Sequence, residues 1–372
     1  MTIEITGLCH RYGQSPDLAV DHLDLEIPKG QFYVLLGPSG CGKTTTMRCI
    51  AGLETPQEGR ISVNGRVVRD AATNTTVPTH KRNIGMVFQS YAIWPHKTVF
   101  ENVAFPMRMK GVGSRQARPR VIEILARVGL EGFADRGASM LSGGQMQRVA
   151  LARSIAMQPS VLLFDEPLSN LDARLRESLR FEIRALQQEF GFTAVYVTHD
   201  QSEALALGDE IAVMRDGKII QRGAPIELYR RPATEFVAEF LGVGNRFEVE
   251  PAHSGDEDSR VRIADSDVEL MVTDPLPSTR RVVACIRDED VIVVRKGEPV
   301  GPSINVLDGT VQVASFLGRE VHYQCVAGGL TFRSSTPTSG DPMGHGDEVT
   351  IGIRPDAVRL VTADMPAGAV AA

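Results

Sequence analysis

Over residues 1–240, short apolar runs alternate with segments in which apolar positions recur every three to four residues. Phe32–Leu36, Ile84–Phe88, Val161–Asp165, Thr193–Thr198 and Ile211–Met214 read as strands; Arg115–Val128, Gly143–Met157, Ala173–Glu189 and Ser202–Leu207 read as helices. Apolar strands separated by helices predict an α/β fold with a mainly parallel sheet wrapped by helices. Leu18–Ile27 alternates as an antiparallel strand does, and Asn64-Gly65 between β-rich flanks marks a hairpin over Gly59–Val68. An antiparallel β layer is therefore expected beside the parallel sheet. Asp216-Gly217 marks another turn, and Pro225–Arg231 and Thr234–Leu241 read as two short closing helices.

The pattern changes at Gly242-Val243-Gly244-Asn245. Helical periodicity then vanishes, and short β runs alternate with turn clusters: Val282–Ile286, Val291–Val294, Gly309–Phe316, Glu320–Cys325 and Glu348–Ile353. Many short strands with Gly, Pro and Asp turns predict a small all-β barrel or sandwich. The expected division is one domain over 1–241 and a β-rich one over 245–372. Arg287-Asp288-Glu289-Asp290 and Arg354-Pro355-Asp356-Ala357 each follow a β run and resemble one another, as an internal near-repeat would.

Composition narrows the class. A chain of 372 residues exceeds one comfortable core, which agrees with two domains. A net charge of −6 with no Lys/Arg block argues against a nucleic-acid partner. No apolar run approaches the roughly 18–20 residues that cross a bilayer, so a membrane role is expected to be peripheral, through partner chains. Met1-Thr2-Ile3-Glu4 lacks the basic and apolar regions of a signal peptide. The five cysteines, at 9, 41, 49, 285 and 325, are scattered without metal spacing, which fits a reducing cytoplasm.

The chemistry concentrates at three places. Residues 37–44 read Gly-Pro-Ser-Gly-Cys-Gly-Lys-Thr, a full G-x-x-x-x-G-K-[ST] loop between the run Phe32–Leu36 and a helical stretch beginning near Lys43. Gly37, Gly40 and Gly42 let backbone N–H groups turn inward around an anion, and the helix end adds its dipole. The Lys43 ammonium reaches β- and γ-phosphates, and the Thr44 hydroxyl can ligate Mg²⁺. Pro38, Ser39, Cys41 and Thr45 complete the cradle. Cys41 reads as a small tolerated loop residue rather than a redox-sensitive thiol. A glycine-rich turn that happens to contain Lys-Thr is the plain alternative, and the strand–loop–helix context favours nucleoside triphosphate.

The second place is Val161–Pro167, where an apolar strand ends in Asp165-Glu166. Asp165 can reach a Mg²⁺ ion at the carboxyl end of a parallel strand, and Glu166 suits a general base for an attacking water. The third is Leu141-Ser142-Gly143-Gly144-Gln145-Met146-Gln147-Arg148. Ser142 is a good N-cap. Two glycines in the first helical turn cost roughly 1 kcal/mol each against Ala, a cost that makes sense if a phosphate must approach the backbone. Two anion sites for one triphosphate imply two chains facing one another.

Leu-Ser-Gly-Gly-Gln, the Asp-Glu-Pro strand end and Ser169-Asn170-Leu171-Asp172 together resemble the nucleotide-binding subunit of ATP-binding-cassette (ABC) transporters over about 1–240. The resemblance implies ATP and Mg²⁺ as ligands and ATP hydrolysis as the activity. It implies that Tyr12 stacks on adenine, that Gln89 contacts Mg²⁺ and water while sensing membrane subunits, and that Asp172 communicates across a homodimer. It implies further that His199 contacts the γ-phosphate and positions the water. Met146 departs from a frequent Gln, and Ile93-Trp94 from the commoner Leu-Phe or Leu-Tyr. A single cassette with a β-rich tail resembles importer ATPases carrying an oligosaccharide-binding-type (OB-like, TOBE-type) regulatory domain. Such a subunit lies on the cytoplasmic face of the membrane with two permease subunits and, indirectly, an extracytoplasmic solute-binding protein. Gln89–His96 resembles the ferric iron and polyamine subgroup at least as well as sugar or phosphonate importers. A soluble cassette ATPase acting on DNA or ribosomes is disfavoured by the single cassette, the acidic balance and the lack of a long coiled-coil insertion.

Overall fold

The computed structural model describes residues 2–13, 15–252, 260–276, 281–301, 305–338 and 340–363. They fall into two compact units that divide between Leu228 and Tyr229.

In the first unit β1 (Ile3–His10) pairs antiparallel with β2 (Val20–Ile27). β3 (Phe32–Leu36) enters a second sheet and leads into α1 (Lys43–Ala51). β4 (Glu58–Val63), β5 (Arg66–Asp70) and β6 (Thr75–Thr76) return to the first sheet, ordered β2-β1-β4-β5-β6. Asn64 and Gly65 have φ of 51° and 75°, the left-handed pair that a tight β4–β5 hairpin requires. β7 (Ile84–Val87) is followed by three helices, α2 (Val99–Met109), α3 (Ser114–Arg127) and α4 (Gly143–Ile155). Then come β8 (Val161–Asp165), α5 (Ala173–Phe190), β9 (Thr193–Thr198), α6 (Gln201–Leu207), β10 (Glu210–Arg215), β11 (Lys218–Gly223) and α7 (Pro225–Arg230).

The second sheet runs β11-β10-β3-β9-β8-β7, parallel throughout except for β10–β11. Helices cover both faces of such a sheet, so β3, β8 and β9 bury every residue. The rings of Phe32 and Phe164 each stand 5.8 Å from that of Tyr196, and each of the three is fully buried. Arg82 closes the end of α1: its guanidinium donates to the carbonyls of Cys49, Ile50 and Val77 at 2.8 Å and of Val68 at 3.3 Å. The bond to Ile50 satisfies a helix-terminal acceptor that has no partner within α1, and the others tie the helix end to β5 and to the Val77 loop.

The second unit begins in the last turn of α7 and continues with α8 (Glu235–Phe240), and its described strands pair antiparallel with one another. β12 (Asn245–Pro251), β13 (Arg260–Ile263), β14 (Glu269–Met271) and β15 (Val282–Ile286) belong to a sheet completed by the last strand. β16 (Val291–Arg295), β17 (Asn305–Phe316), β18 (Glu320–Ala327), β19 (Leu330–Pro337) and β20 (Glu348–Ile353) form the other, and β21 (Arg359–Thr362) returns to the first. The sheets share one core that includes Val261, Leu270, Ile286, Phe332 and Ile351, an all-β arrangement of the OB-like kind. The compact unit begins at Tyr229, before the expected boundary at 241–245. The composition shift marks where helices end, but Ala238 of α8 and Val243 already pack with Val283, Cys285 and Val361. The two similar tetrapeptides each form one 3₁₀ turn after a strand, Asp288–Asp290 and Pro355–Ala357, joined by Arg354 Nη2 to Asp290 Oδ1 at 3.5 Å.

Candidate nucleotide site

The phosphate loop leaves β3 at the carboxyl end of the parallel sheet. Its curvature is set by Gly42, whose φ is 100° and whose absent Cβ would stand 2.2 Å from the Ala19 carbonyl oxygen. The Lys43 ammonium is buried in the loop, donating to the carbonyls of Gly37 and Pro38 at 2.7 Å. Cys41 is buried beneath Gly37, and burial pushes its thiol pKa up, so its place is structural packing. The Thr45 hydroxyl meets the Tyr12 hydroxyl at 3.2 Å, which brings the half-exposed Tyr12 to the start of α1.

The Thr44 hydroxyl donates to Asp165 Oδ1 at 3.1 Å, joining α1 to the end of β8. Burial raises the Asp165 pKa, opposed by the Thr44 bond and by the charges of Arg48 and Lys43. A buried carboxylate beside a hydroxyl is the hard-oxygen pair that suits Mg²⁺. Glu166 follows with φ of 43°, in the left-handed region that costs a non-glycine residue roughly 1–2 kcal/mol. Its N–H donates to the Val197 carbonyl at 3.1 Å, and its own carbonyl accepts from the Ser169 N–H and hydroxyl at 3.3 and 2.9 Å. This turn aims Glu166 Oε2 at His199 Nδ1, 3.2 Å away across the ends of β8 and β9. Strain of this kind gathers where a side chain must be aimed. Behind His199, Glu203 is buried and accepts from the hydroxyls of Thr198 and Tyr196 at 2.7 and 3.0 Å; burial raises its pKa.

Loop 37–44, Tyr12, Asp165, Glu166 and His199 thus converge. Gln89 is exposed just beyond β7, its carbonyl accepting from Asn170 Nδ2 at 3.0 Å. Asp172 caps α5, accepting from the Leu175 N–H at 2.9 Å. Ser142 and Gln145 form a capping box on α4: Ser142 Oγ accepts from the Gln145 N–H at 3.4 Å, and Gln145 Oε1 from the Ser142 N–H at 3.0 Å. Among the described residues, no hydrogen bond joins Ser142–Gln145 to the phosphate loop. The glycine pair divides in its reasons. A Cβ at Gly144 would stand 2.6 Å from Leu175 Cδ2, so a side chain there requires Leu175 of α5 to shift, whereas a Cβ at Gly143 meets nothing closer than 3.5 Å. Sequence reasoning missed Asn170 and Glu203; the first lay inside a quoted motif, and the second is an acid in an apolar helix face.

The ABC transporter family matches residues 20–169, and the TOBE domain family residues 284–361. The spermidine/putrescine import ATP-binding protein PotA of Thermobifida fusca (strain YX) is 42% identical over 362 residues, 96% of this chain and 92% of that protein. The Fe(3+) ions import ATP-binding protein FbpC of Rhizobium etli is 45% identical over 306 residues, 82% and 83% of the two chains. The dimeric ATP-binding cassette MJ0796, solved in a post-hydrolysis state with ADP and Pi, superposes with a TM-score of 0.52 at 32% identity, covering 60% of this chain and 98% of that one. Cassette, tail and near full-length likeness to import subunits agree: the chain belongs to the ATP-binding import subunits of the ABC transporter family and is an ATPase.

Proposed function

We propose that two copies of this chain pair head to tail and hold two ATP molecules between them. Each ATP lies on loop 37–44 of one copy and on Ser142–Gln145 of the other, with Tyr12 against adenine and Asp172 at the dimer seam. The reading is supported above all by the division of the site: one half of the anion-binding groups converges around Lys43, and the other half, on α4, shares no bond with it. Dimeric structures in the family support the pairing.

Glu166 accepts a proton from the attacking water, and His199, 3.2 Å from it, orients that water toward the γ-phosphate. Lys43 exchanges its two carbonyl partners for phosphate oxygens. Thr44, Asp165 and Gln89 would hold Mg²⁺, which supplies charge neutralisation on the triphosphate. A triphosphate shared by two chains binds the closed dimer better than the open one, so ATP favours closure and hydrolysis removes the bias. Among the described residues no helix is long and apolar enough to cross a membrane, so the motion is delivered to two permease subunits, docked near Gln89–His96 on the cytoplasmic face. An extracytoplasmic binding protein supplies the solute, and the β-rich unit receives a regulator. By the names of its relatives the solute is ferric iron or a polyamine.

Glu166→Gln tests the assignment: turnover falls about 10²–10⁴-fold while ATP still binds and drives dimerisation. Normal hydrolysis by this variant would refute Glu166 as the base. Ser142→Arg keeps ATP binding to the single chain and abolishes ATP-driven dimerisation; a dimer that still forms removes the two-chain site. The solute is identified by which of ferric iron, spermidine or putrescine stimulates ATPase activity in the reconstituted complex.

A further inference from the structure

The segment 89–96 joins β7 to α2, and its shape depends on a residue outside the motifs. Tyr91 and Ala92 are consecutive non-glycine residues with φ of 61° and 49°, a left-handed pair that L residues avoid. Arg153, on α4, holds both. Its Nη1 donates to the Ala92 carbonyl at 2.6 Å and its Nη2 to the Tyr91 carbonyl at 3.0 Å. The same guanidinium lies 5.1 Å from the centroid of the Trp94 ring. Trp94 in turn packs on Phe105 of α2, ring centroids 4.4 Å apart, and its backbone N–H and carbonyl bond the Asn102 side chain at 3.0 and 3.1 Å.

The fork matters because α4 begins at Ser142. The Tyr91 hydroxyl reaches that end as well, lying 3.5 Å from where a Cβ of Gly143 would stand. Ser154, next to Arg153, donates to the Met86 carbonyl at 2.9 Å, three residues before Gln89. One helix, about 15 Å from Gly143 to Arg153, therefore touches segment 89–96 at both ends. A planar guanidinium holds two donors in one rigid fork and so fixes the two peptide planes in a set geometry, which the freely rotating donors of an ammonium constrain less.

We propose that Arg153 is a positioning residue for ATP hydrolysis: it makes α4 and segment 89–96 one body, so that seating a triphosphate on Ser142–Gln145 sets the place of Gln89. The inference rests on the two-chain reading of the site. It names Arg153 as the connection between the triphosphate of one half-site and the glutamine of the other, and it makes the strained pair Tyr91-Ala92 the part that is held.

The test uses the purified full chain with Arg153→Ala, Arg153→Lys and Arg153→Ala/Ala92→Gly, reading ATP binding, kcat, KM and the melting temperature. ATP binding to the single chain stays within about twofold, since Arg153 touches no part of loop 37–44. kcat falls about 10–10²-fold with KM little changed, the scale of a catalytic group misplaced by about 1 Å. Arg153→Lys recovers part of the loss. Glycine at 92 tolerates the left-handed backbone, so the double variant regains melting temperature without regaining kcat. Full kcat in Arg153→Ala overturns the proposal, as does joint recovery of stability and kcat in the double variant, which would make Arg153 a structural support only. If Arg153→Ala does not fold, Arg153→Lys and the double variant are judged by the same two criteria. Ser142→Arg separates the failures: its loss of activity beside a silent Arg153→Ala sinks this proposal alone, whereas its retained activity sinks the two-chain reading and this one with it.

Discussion

Two alanine substitutions two residues apart would separate backbone strain from close contact in the phosphate loop. Gly40 has φ of 83° and open space where a Cβ would go; Gly42 has φ of 100° and the Ala19 carbonyl oxygen at 2.2 Å. Gly40→Ala therefore carries strain alone, roughly 1–2 kcal/mol. Gly42→Ala carries comparable strain plus overpacking against a backbone atom, a further ~1–3 kcal/mol. The oxygen cannot retreat freely, because the Ala19 N–H donates to the His10 carbonyl at 2.8 Å and ties the turn between β1 and β2. The difference between the variants is then about 1–3 kcal/mol, or roughly 2–12 °C in the melting transition of a unit this size. Urea and thermal unfolding of the nucleotide-free chain measure it, and ATP titration shows whether the displaced turn also weakens binding through Tyr12. Equal losses in the two variants would refute the contact term.

Two further outcomes follow from buried polar groups. Burial raises the Asp165 pKa, so its folded value exceeds its unfolded one and its stability contribution is complete at acid pH and lost as pH rises through the folded value. Asp165→Asn, which removes that loss along with activity, is expected to melt above the parent at neutral pH, with the gap closing toward pH 4; a gap that is constant with pH contradicts the assignment. Arg82→Ala strands the carbonyls of Ile50 and Val77, whereas those of Cys49 and Val68 keep the N–H groups of Gly52 and Val77; at about 1–3 kcal/mol for each stranded group where water cannot reach, a loss of at least ~2 kcal/mol is expected in urea unfolding. A loss below ~1 kcal/mol would show that the cavity hydrates.

The parallel sheet was legible because its central strands are fully buried and appear as unbroken apolar runs, with β3, β8 and β9 found at their expected places. β1 was hidden by irregularity. Ile3 and Ile5 face inward, but the register shifts before Leu8 and the two-residue period is lost. α2 was missed because Pro106 interrupts it, although Thr98 and Glu101 form a capping box that announces its start. β19 carries the buried polar Ser334 in phase with Phe332, so its inward face does not read as apolar. In the candidate site, octet and strand end were written in residue types, whereas the left-handed turn at Glu166 and the fork of Arg153 depend on backbone carbonyls. Carbonyls carry no letter. Gly144 shows the opposite error: the glycine was noticed, and its neighbour Leu175 lay 31 positions away.

The reciprocal cap of Ser142 and Gln145 also sorts polarity. The Ser142 oxygen and the Gln145 amide oxygen both spend a lone pair on the helix's own N–H groups. On the two-chain proposal, what this leaves for a partner's phosphate is hydrogen: the Ser142 hydroxyl proton, the Gln145 amide protons and the N–H of Gly143. Such a surface would suit an anion without carrying a formal charge, and because none of its donors titrates near neutrality, any change of its grip with acidity would come from the phosphate alone.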